Sequence, residues 1–263
     1  MGHEYEYDPE KGRNMIAALL LGRKGSVGFP EKNLHRVLGH PLSWYPMTAA
    51  KRAKLVDRAF LSTDDERLMD LARENDVEVI ERPAYLCTKE ALGEDAFVHG
   101  YEEICRIAGE KPDLMVLLFC NAATLLPETI DEGIRVLREH PDYDSAVSVS
   151  RYNMWSPWRA RMIGRDGLLY PFLSRGALVE SSVTCDRDSH EDVWFADVSV
   201  SVVQPGNLEN IENNIPPQKW MGNTIYPLKQ EGGCDVDYEW QIPGVEWWLK
   251  KHWFKSGEQE EAE

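Results

Sequence analysis

The sequence predicts the α/β fold class: one mostly parallel sheet flanked by helices, interrupted by a single β-rich insertion. Three observations carry this. Short apolar runs of strand length alternate with helical patterns of roughly 10–15 residues, which is how βαβ units read. A glycine-rich turn follows directly on the first run, at the strand end where parallel sheets bind ligands. The 263 residues, 43% hydrophobic and 28% charged, suffice for one large core.

The elements follow in order. Residues 16–21 (Ile-Ala-Ala-Leu-Leu-Leu) form the first strand run, and 59–62, 114–119, 146–149 and 198–203 give four more. The last of these is β-branched at alternate positions, as strands favour. Helical patterns occupy 42–54, 65–75, 95–108 and 128–139. Thr63-Asp64-Asp65 supplies an N-cap signal for the second, and Pro127 stands where the fourth begins. The alternation lapses between 151 and 192, where Tyr, Trp, Arg and Pro crowd together, so this stretch reads as an insertion in one domain spanning 15–255. Residues 1–14 read as an acidic segment and 256–263 as an acidic disordered tail.

Composition excludes several classes. Lys+Arg 29 against Asp+Glu 45 gives −16, unsuited to a general nucleic-acid or anionic-membrane surface. Eight of those acids sit in the two ends, and without them the charge is still −8, so an anionic ligand must meet local cations. No apolar run approaches the roughly 18 residues of a membrane span, and the polar start does not read as a signal peptide. Five cysteines with no CxxC pair fit reduced thiols in a cytoplasmic protein, and the seven histidines show no zinc-ligand spacing.

The most informative segment is 21–33, Leu21-Gly22-Arg23-Lys24-Gly25-Ser26-Val27-Gly28-Phe29-Pro30-Glu31-Lys32-Asn33. Glycines allow backbone N–H groups to turn inward, and Arg23, Lys24 and Lys32 add positive charge, which together suit a polyphosphate. The GxxGxxG spacing is neither the dinucleotide GxGxxG nor a Walker A loop, and no GxSxG places Ser26 on a nucleophile elbow. A second chemical signal is Asp235-Val236-Asp237: in extended backbone, side chains at i and i+2 share one face. Two such carboxylates meet the share that magnesium takes from protein when phosphates and water complete its shell. Arg159 and Arg161 have the same spacing; on a strand they point one way, either to grip a carboxylate or as a charged face.

The 21–33 segment resembles the (A/G)RxGSKGxPxKN signature of the CMP-sugar-acid synthetases, the acylneuraminate and Kdo-type cytidylyltransferases. Arg23, Gly25, Ser26, Gly28, Pro30, Lys32 and Asn33 match in order, while Val27 replaces the usual lysine. The resemblance continues through Gly39-His40-Pro41-Leu42, Ser62-Thr63-Asp64-Asp65, Arg82-Pro83-Ala84-Tyr85-Leu86 and Ser156-Pro157-Trp158-Arg159-Ala160-Arg161. It implies a Rossmann-like sheet of the nucleotidyltransferase type, with the insertion pairing two subunits into a homodimer. It also implies CTP held by the backbone of residues 21–28 with Arg23, Lys24, Lys32, Asn33 and Arg82, with Ala91 near the base by position. Asp235 and Asp237 would bind Mg2+ or Mn2+.

Two departures stand out. Where the sialate and Kdo enzymes usually read QPTSPxR, this chain reads Phe119-Cys120-Asn121-Ala122-Ala123-Thr124-Leu125, leaving Asn121 as the polar side chain for the acceptor, with Arg159 and Arg161 as further candidates. Asp197 replaces a common asparagine, either adding a carboxylate near the metal or capping a turn. The implied activity is CMP transfer from CTP to a small anionic acceptor, with pyrophosphate released. The catalytic set is Arg23, Lys32, Asp235 and Asp237. A 3-deoxy-2-ulosonic acid is the expected acceptor. The alternatives are a phosphonate or other non-sugar acid, or a CTP-binding homologue without transfer activity.

Overall fold

The computed structural model describes residues 15–25, 28–180 and 183–254, so Ser26, Val27 and both acidic ends lie outside the described residues. In chain order the elements are β1 (Ile16–Leu21), a small antiparallel pair β2 (Arg36–Val37) and β3 (His40–Pro41), α1 (Trp44–Arg52), β4 (Arg58–Thr63), α2 (Glu66–Glu74), β5 (Glu78–Glu81), α3 (Gly93–Ala108), β6 (Leu114–Phe119) and α4 (Pro127–Glu139). There follow β7 (Ser145–Arg151), a second small pair β8 (Arg161–Ile163) and β9 (Leu169–Pro171), α5 (Arg175–Glu180), β10 (Trp194–Val203), α6 (Pro205–Glu209), β11 (Ile225–Gln230) and α7 (Ile242–His252).

Seven strands make the central sheet in the order β11-β7-β10-β6-β1-β4-β5. All pairings are parallel except those of β10, which runs antiparallel to both β6 and β7. The mostly parallel sheet flanked by helices is the architecture the alternation predicts. β1 sits centrally and all six of its residues are buried, which explains its unbroken apolar run. Ile16, Ala18 and Leu20 face a core with Met47, Leu68 and Ile134 from α1, α2 and α4. Ala17, Leu19 and Leu21 face the other way, onto Phe97, Tyr101 and Ile104 of α3. A third cluster joins Val37, Tyr45, Val236, Trp248 and Leu249, docking α7 and the segment before it.

Local chemistry sets the helix starts. Asp65 caps α2, its carboxylate accepting from Arg67 N at 3.0 Å; such caps contribute about 1 kcal/mol. Pro127 opens α4 at a position where its missing N–H costs nothing. The 151–192 stretch departs from the expected β-rich character: its strands are limited to β8 and β9, three residues each, beside 3-10 turns and α5. Prolines and the polar run 184–192 leave few residues able to pair. The strand expected at 198–203 starts earlier, at Trp194. Its pairing shifts between Ala196 and Ser201, with Val198 at φ 52°.

The chain runs from β1 outward to β4 and β5, then returns to place β6 on the other side of β1. Between the carboxyl ends of β1 and β6 the connections diverge, which opens a crevice at this switch point.

Candidate active site

The crevice is a cleft of about 590 Å³, within the usual range for small-molecule sites. Leu21, Gly22 and Arg23 enter it from β1, Phe119 and Asn121 from β6. Arg82, Lys89 and Ala91 come from the β5–α3 connection, and Asp235, Asp237 and Tyr238 from the segment before α7.

Glycine is required at two points of the first loop. A Cβ on Gly22 would lie 2.8 Å from the buried Cys120 Sγ, and one on Gly28 2.9 Å from the Asp237 carbonyl. The glycine loop therefore touches the acidic segment directly. Arg23 Nη1 donates to Thr88 O at 3.2 Å and Cys87 O at 3.4 Å, tying the loop to the opposite wall. Asn33 is buried; its Nδ2 donates to Arg23 O at 3.4 Å, while its Oδ1 has no partner. A buried acceptor of that kind calls for a donor from a ligand or water. Gly25 has φ 78°. Lys24 donates its backbone N–H to Asp64 at 2.8 Å and lines a neighbouring hollow with Glu31 and Arg67, not the main cleft.

Arg82 is buried under the cleft floor, its guanidinium donating to Ser62 Oγ at 3.1 Å and Ser62 O at 2.6 Å. Burial pulls its pKa below the usual guanidinium value, yet a guanidinium stays charged in proteins. Lys32 Nζ lies 2.6 Å from Asp237 Oδ1. Asp235 has its carboxyl raised above the usual range, first by burial and then by the charge on Asp237, with Lys32 opposing.

Asp235 and Asp237 do face one cleft, because Val236 between them turns into the core. Two mutually repelling carboxylates, one of them desolvated, form a donor set that a hard divalent cation satisfies. Among the described residues no group of three or more His, Cys, Asp or Glu could hold a metal, so the protein share here is this pair. The pair fits a cation whose remaining shell is phosphate and water.

Asn121 lines the cleft, but its Nδ2 is engaged: it donates to Val236 O at 3.0 Å and approaches Asp235 Oδ2 at 3.5 Å. Phe119 packs edge-on to Phe97 and lies near Trp220, with centroids 5.2 and 6.0 Å away. Arg159 and Arg161 correct the expectation of a shared strand face. Pro157 starts a 3-10 turn that contains Arg159, and only Arg161 belongs to β8. Arg159 donates to Cys185 O at 2.9 Å and Arg161 to Ala160 O at 3.0 Å. Both line a separate hollow of about 500 Å³ in the insertion. Asp197 lies on β10, buried and hydrogen-bonded to Ser148 and Ser150 of β7 and Gln230 of β11, neither a cleft carboxylate nor a simple turn cap.

Sequence reasoning missed Lys89, a cleft cation that pairs with no described carboxylate, and Tyr238 at the rim. A lone lysine on a loop gives no pattern; only the fold brings it opposite the glycine turn.

The family comparison and the curated relatives both point to cytidylyltransferases. The family described as Cytidylyltransferase matches residues 17–153. A 3-deoxy-manno-octulosonate cytidylyltransferase of Pelobacter propionicus is 29% identical over 137 residues, 52% of this chain and 49% of that protein. An N-acylneuraminate cytidylyltransferase A of Danio rerio is 23% identical over 234 residues, 88% of this chain and 50% of that protein. The chain thus spans about half the length of the curated relatives it matches. Among solved structures, a CMP:2-keto-3-deoxy-manno-octonic acid synthetase complexed with CTP superposes with TM-score 0.62 at 14% identity, covering 90% of this chain and 99% of that one. A 4-diphosphocytidyl-2C-methyl-D-erythritol synthase from Anaerococcus prevotii gives 0.59 at 11% identity, covering 90% and 96%. At such identities the likeness is one of fold.

Proposed function

Because this chain belongs to the cytidylyltransferase family, we propose that it transfers CMP from CTP to a small anionic acceptor, a 3-deoxy-2-ulosonic acid, and releases pyrophosphate. The observation that carries this reading is the meeting of a cationic glycine loop and a carboxylate pair across one cleft.

The acceptor hydroxyl attacks the α-phosphorus of CTP in line, and pyrophosphate leaves. Backbone N–H groups of the glycine loop, with Arg23 and Lys32, hold the triphosphate and offset charge that develops on the leaving group. The unsatisfied Asn33 Oδ1 is available to accept from the exocyclic amine of cytosine, and buried Arg82 supports the nucleotide from below. Asp235 and Asp237 would hold Mg2+ or Mn2+, which when bound supplies charge neutralisation at the phosphates and lowers the pKa of a coordinated hydroxyl. Asn121 fixes the backbone between those carboxylates.

Phe119 favours a second acceptor class. An aromatic ring in place of the usual glutamine removes a hydrogen-bonding partner from the acceptor end, which suits a phosphonate or other non-sugar acid. The exposed apolar side chains of the insertion, Ile163, Leu169 and Phe172 among them, support a homodimer built there. A cytoplasmic setting is supported by five cysteines that are all free; no helix of the described residues is long and apolar enough to cross a membrane.

The test is pyrophosphate release with CTP and Mg2+ against a panel of 3-deoxy-2-ulosonic acids and small phosphonates. Release with an ulosonic acid supports the reading, and release only with a phosphonate replaces the acceptor. The Asp235→Ala/Asp237→Ala double variant should abolish turnover while CTP still binds; unchanged turnover refutes the metal role.

A further inference from the structure

Behind the acidic segment lies a carboxylate that the proposed chemistry does not touch. Asp197 is 5% exposed and pairs with no described cation, although a buried charge is costly unless fully hydrogen-bonded. Here four donors satisfy it: Ser148 Oγ at 2.5 Å, Ser150 Oγ at 2.7 Å, Gln230 Nε2 at 2.9 Å and Ser199 N at 3.2 Å.

The direction of these bonds matters more than their number. An ionised carboxylate only accepts, and a serine hydroxyl has one proton. Asp197 therefore takes the protons of both serines and leaves their lone pairs pointing outward. Ser150 Oγ accepts from Gly233 N at 2.8 Å, and Ser148 Oγ accepts from Val200 N at 3.0 Å. Gln230 uses its amide on Asp197 and on Thr124 O at 3.1 Å. Thr124 Oγ1 accepts from Cys234 N at 2.8 Å. Tyr152, its phenol pushed up to about 12 chiefly by burial, donates to Gly233 O at 3.0 Å. A Cβ on Gly233 would overlap the Gln230 amide and lie 2.5 Å from Asp197 Oδ2, so this glycine admits the network at closest approach. Beyond it, Val236 N donates to Asn121 O at 2.9 Å. Asp235 thus stands between two pinned points.

We propose that Asp197 is the positioning residue of the acidic segment: its carboxylate sets the polarity of a network that fixes Gly233 and Cys234, and so aims Asp235 and Asp237 into the cleft. This rests on the reading of that pair as metal ligands. An asparagine at 197 must present an N–H to one serine. Facing Ser150, it turns that hydroxyl's proton toward Gly233 N–H and the segment loses its anchor; facing Ser148, it sets donors against the Ser199 and Val200 N–H groups in the strand that carries the network. Outer partners that orient metal ligands contribute on the order of 10- to 100-fold to metal affinity.

The experiment is an Mn2+ titration followed by electron paramagnetic resonance, with CTP present, on the wild type, Asp197→Asn, Ser150→Ala and Asp235→Ala/Asp237→Ala. Asp197→Asn should weaken Mn2+ binding by about 10-fold or more, and hydrogen exchange should accelerate at the Gly233 and Cys234 amides while β1 stays protected. Metal-free CTP affinity should stay within about twofold, a split that general destabilisation would not give. Wild-type Mn2+ affinity in Asp197→Asn overturns the proposal. If that variant does not fold, Ser150→Ala decides: it removes the acceptor for Gly233 N–H together with one donor to Asp197, and unchanged exchange and Mn2+ affinity refute the network. Wild-type Mn2+ binding in the double aspartate variant is a different failure, that of the metal site itself.

Discussion

Replacing Gly28 with alanine tests whether the glycine loop and the acidic segment must touch. The perturbation is the added methyl group. Its Cβ would lie 2.9 Å from the Asp237 carbonyl oxygen and 3.4 Å from Tyr238 Cε1. Ordinary contact begins at 3.4 Å, so the two segments must part by about 0.5 Å. The carbonyl cannot swing away as a side chain would, because it belongs to the segment docked through Val236. Overpacking of this kind costs about 1–3 kcal/mol, which for a domain of this size lowers Tm by roughly 2–4 °C per kcal/mol. The same displacement separates Lys32 from Asp237, now 2.6 Å apart, and moves the glycine loop away from the carboxylates. Since misplacing reacting groups by 1 Å can cost on the order of 10²-fold, half of that predicts about a 10-fold loss of turnover. Calorimetric binding of CTP with Mg2+, melting curves and pyrophosphate release read the three effects. Gly244→Ala in α7, where a Cβ meets nothing within 4 Å, is the control; it should be neutral or stabilising. If Gly28→Ala matches the wild type in all three assays, the two segments do not need this contact and the argument from it falls.

Two further outcomes follow from the cleft. Asp235 has its carboxyl raised by burial and by Asp237, so the folded protein holds that proton more tightly than the unfolded chain does. Ionised Asp235 therefore costs stability above its folded pKa, and the cost fades as pH falls toward the ordinary carboxylate range. Asp235→Asn should raise the ligand-free Tm by a few degrees at pH 7, with a smaller gain near pH 4, and should abolish stabilisation by Mg2+ with CTP; a lower ligand-free Tm contradicts it. Lys89→Ala should weaken CTP about 10-fold, as loss of one charge-assisted contact of about 1.5 kcal/mol predicts, while leaving cytidine affinity unchanged by calorimetry.

What could be read from the sequence was the part whose cause is local. β1 announced itself because all six residues are buried on both faces, and the glycine turn because its backbone needs are met by few residue types. Asp235 and Asp237 were legible because extended backbone alternates and Val236 is apolar. The rest depends on partners far along the chain. The Asn121 amide is occupied by Val236, 115 residues away, so its availability to an acceptor could not be judged from its neighbours. Arg159 left the strand because Pro157 starts a turn. β11 escaped notice since Pro227, Lys229 and Gln230 resemble a loop, a composition tolerated because β11 lies at the sheet edge. The place of Asp197 was not legible because its donors come from three different segments.

The ion pair between Lys32 and Asp237 joins the two halves of the cleft before any ligand arrives. On the proposed function, a divalent cation that takes Asp237 would release Lys32 toward the phosphates, and a triphosphate that takes Lys32 would leave Asp237 open to a cation. The two ligands then compete with the same internal bond, so each raises the affinity of the other by an equal factor. The half-exposed bridge is worth at most about 1 kcal/mol, which bounds this part of the coupling at roughly five-fold.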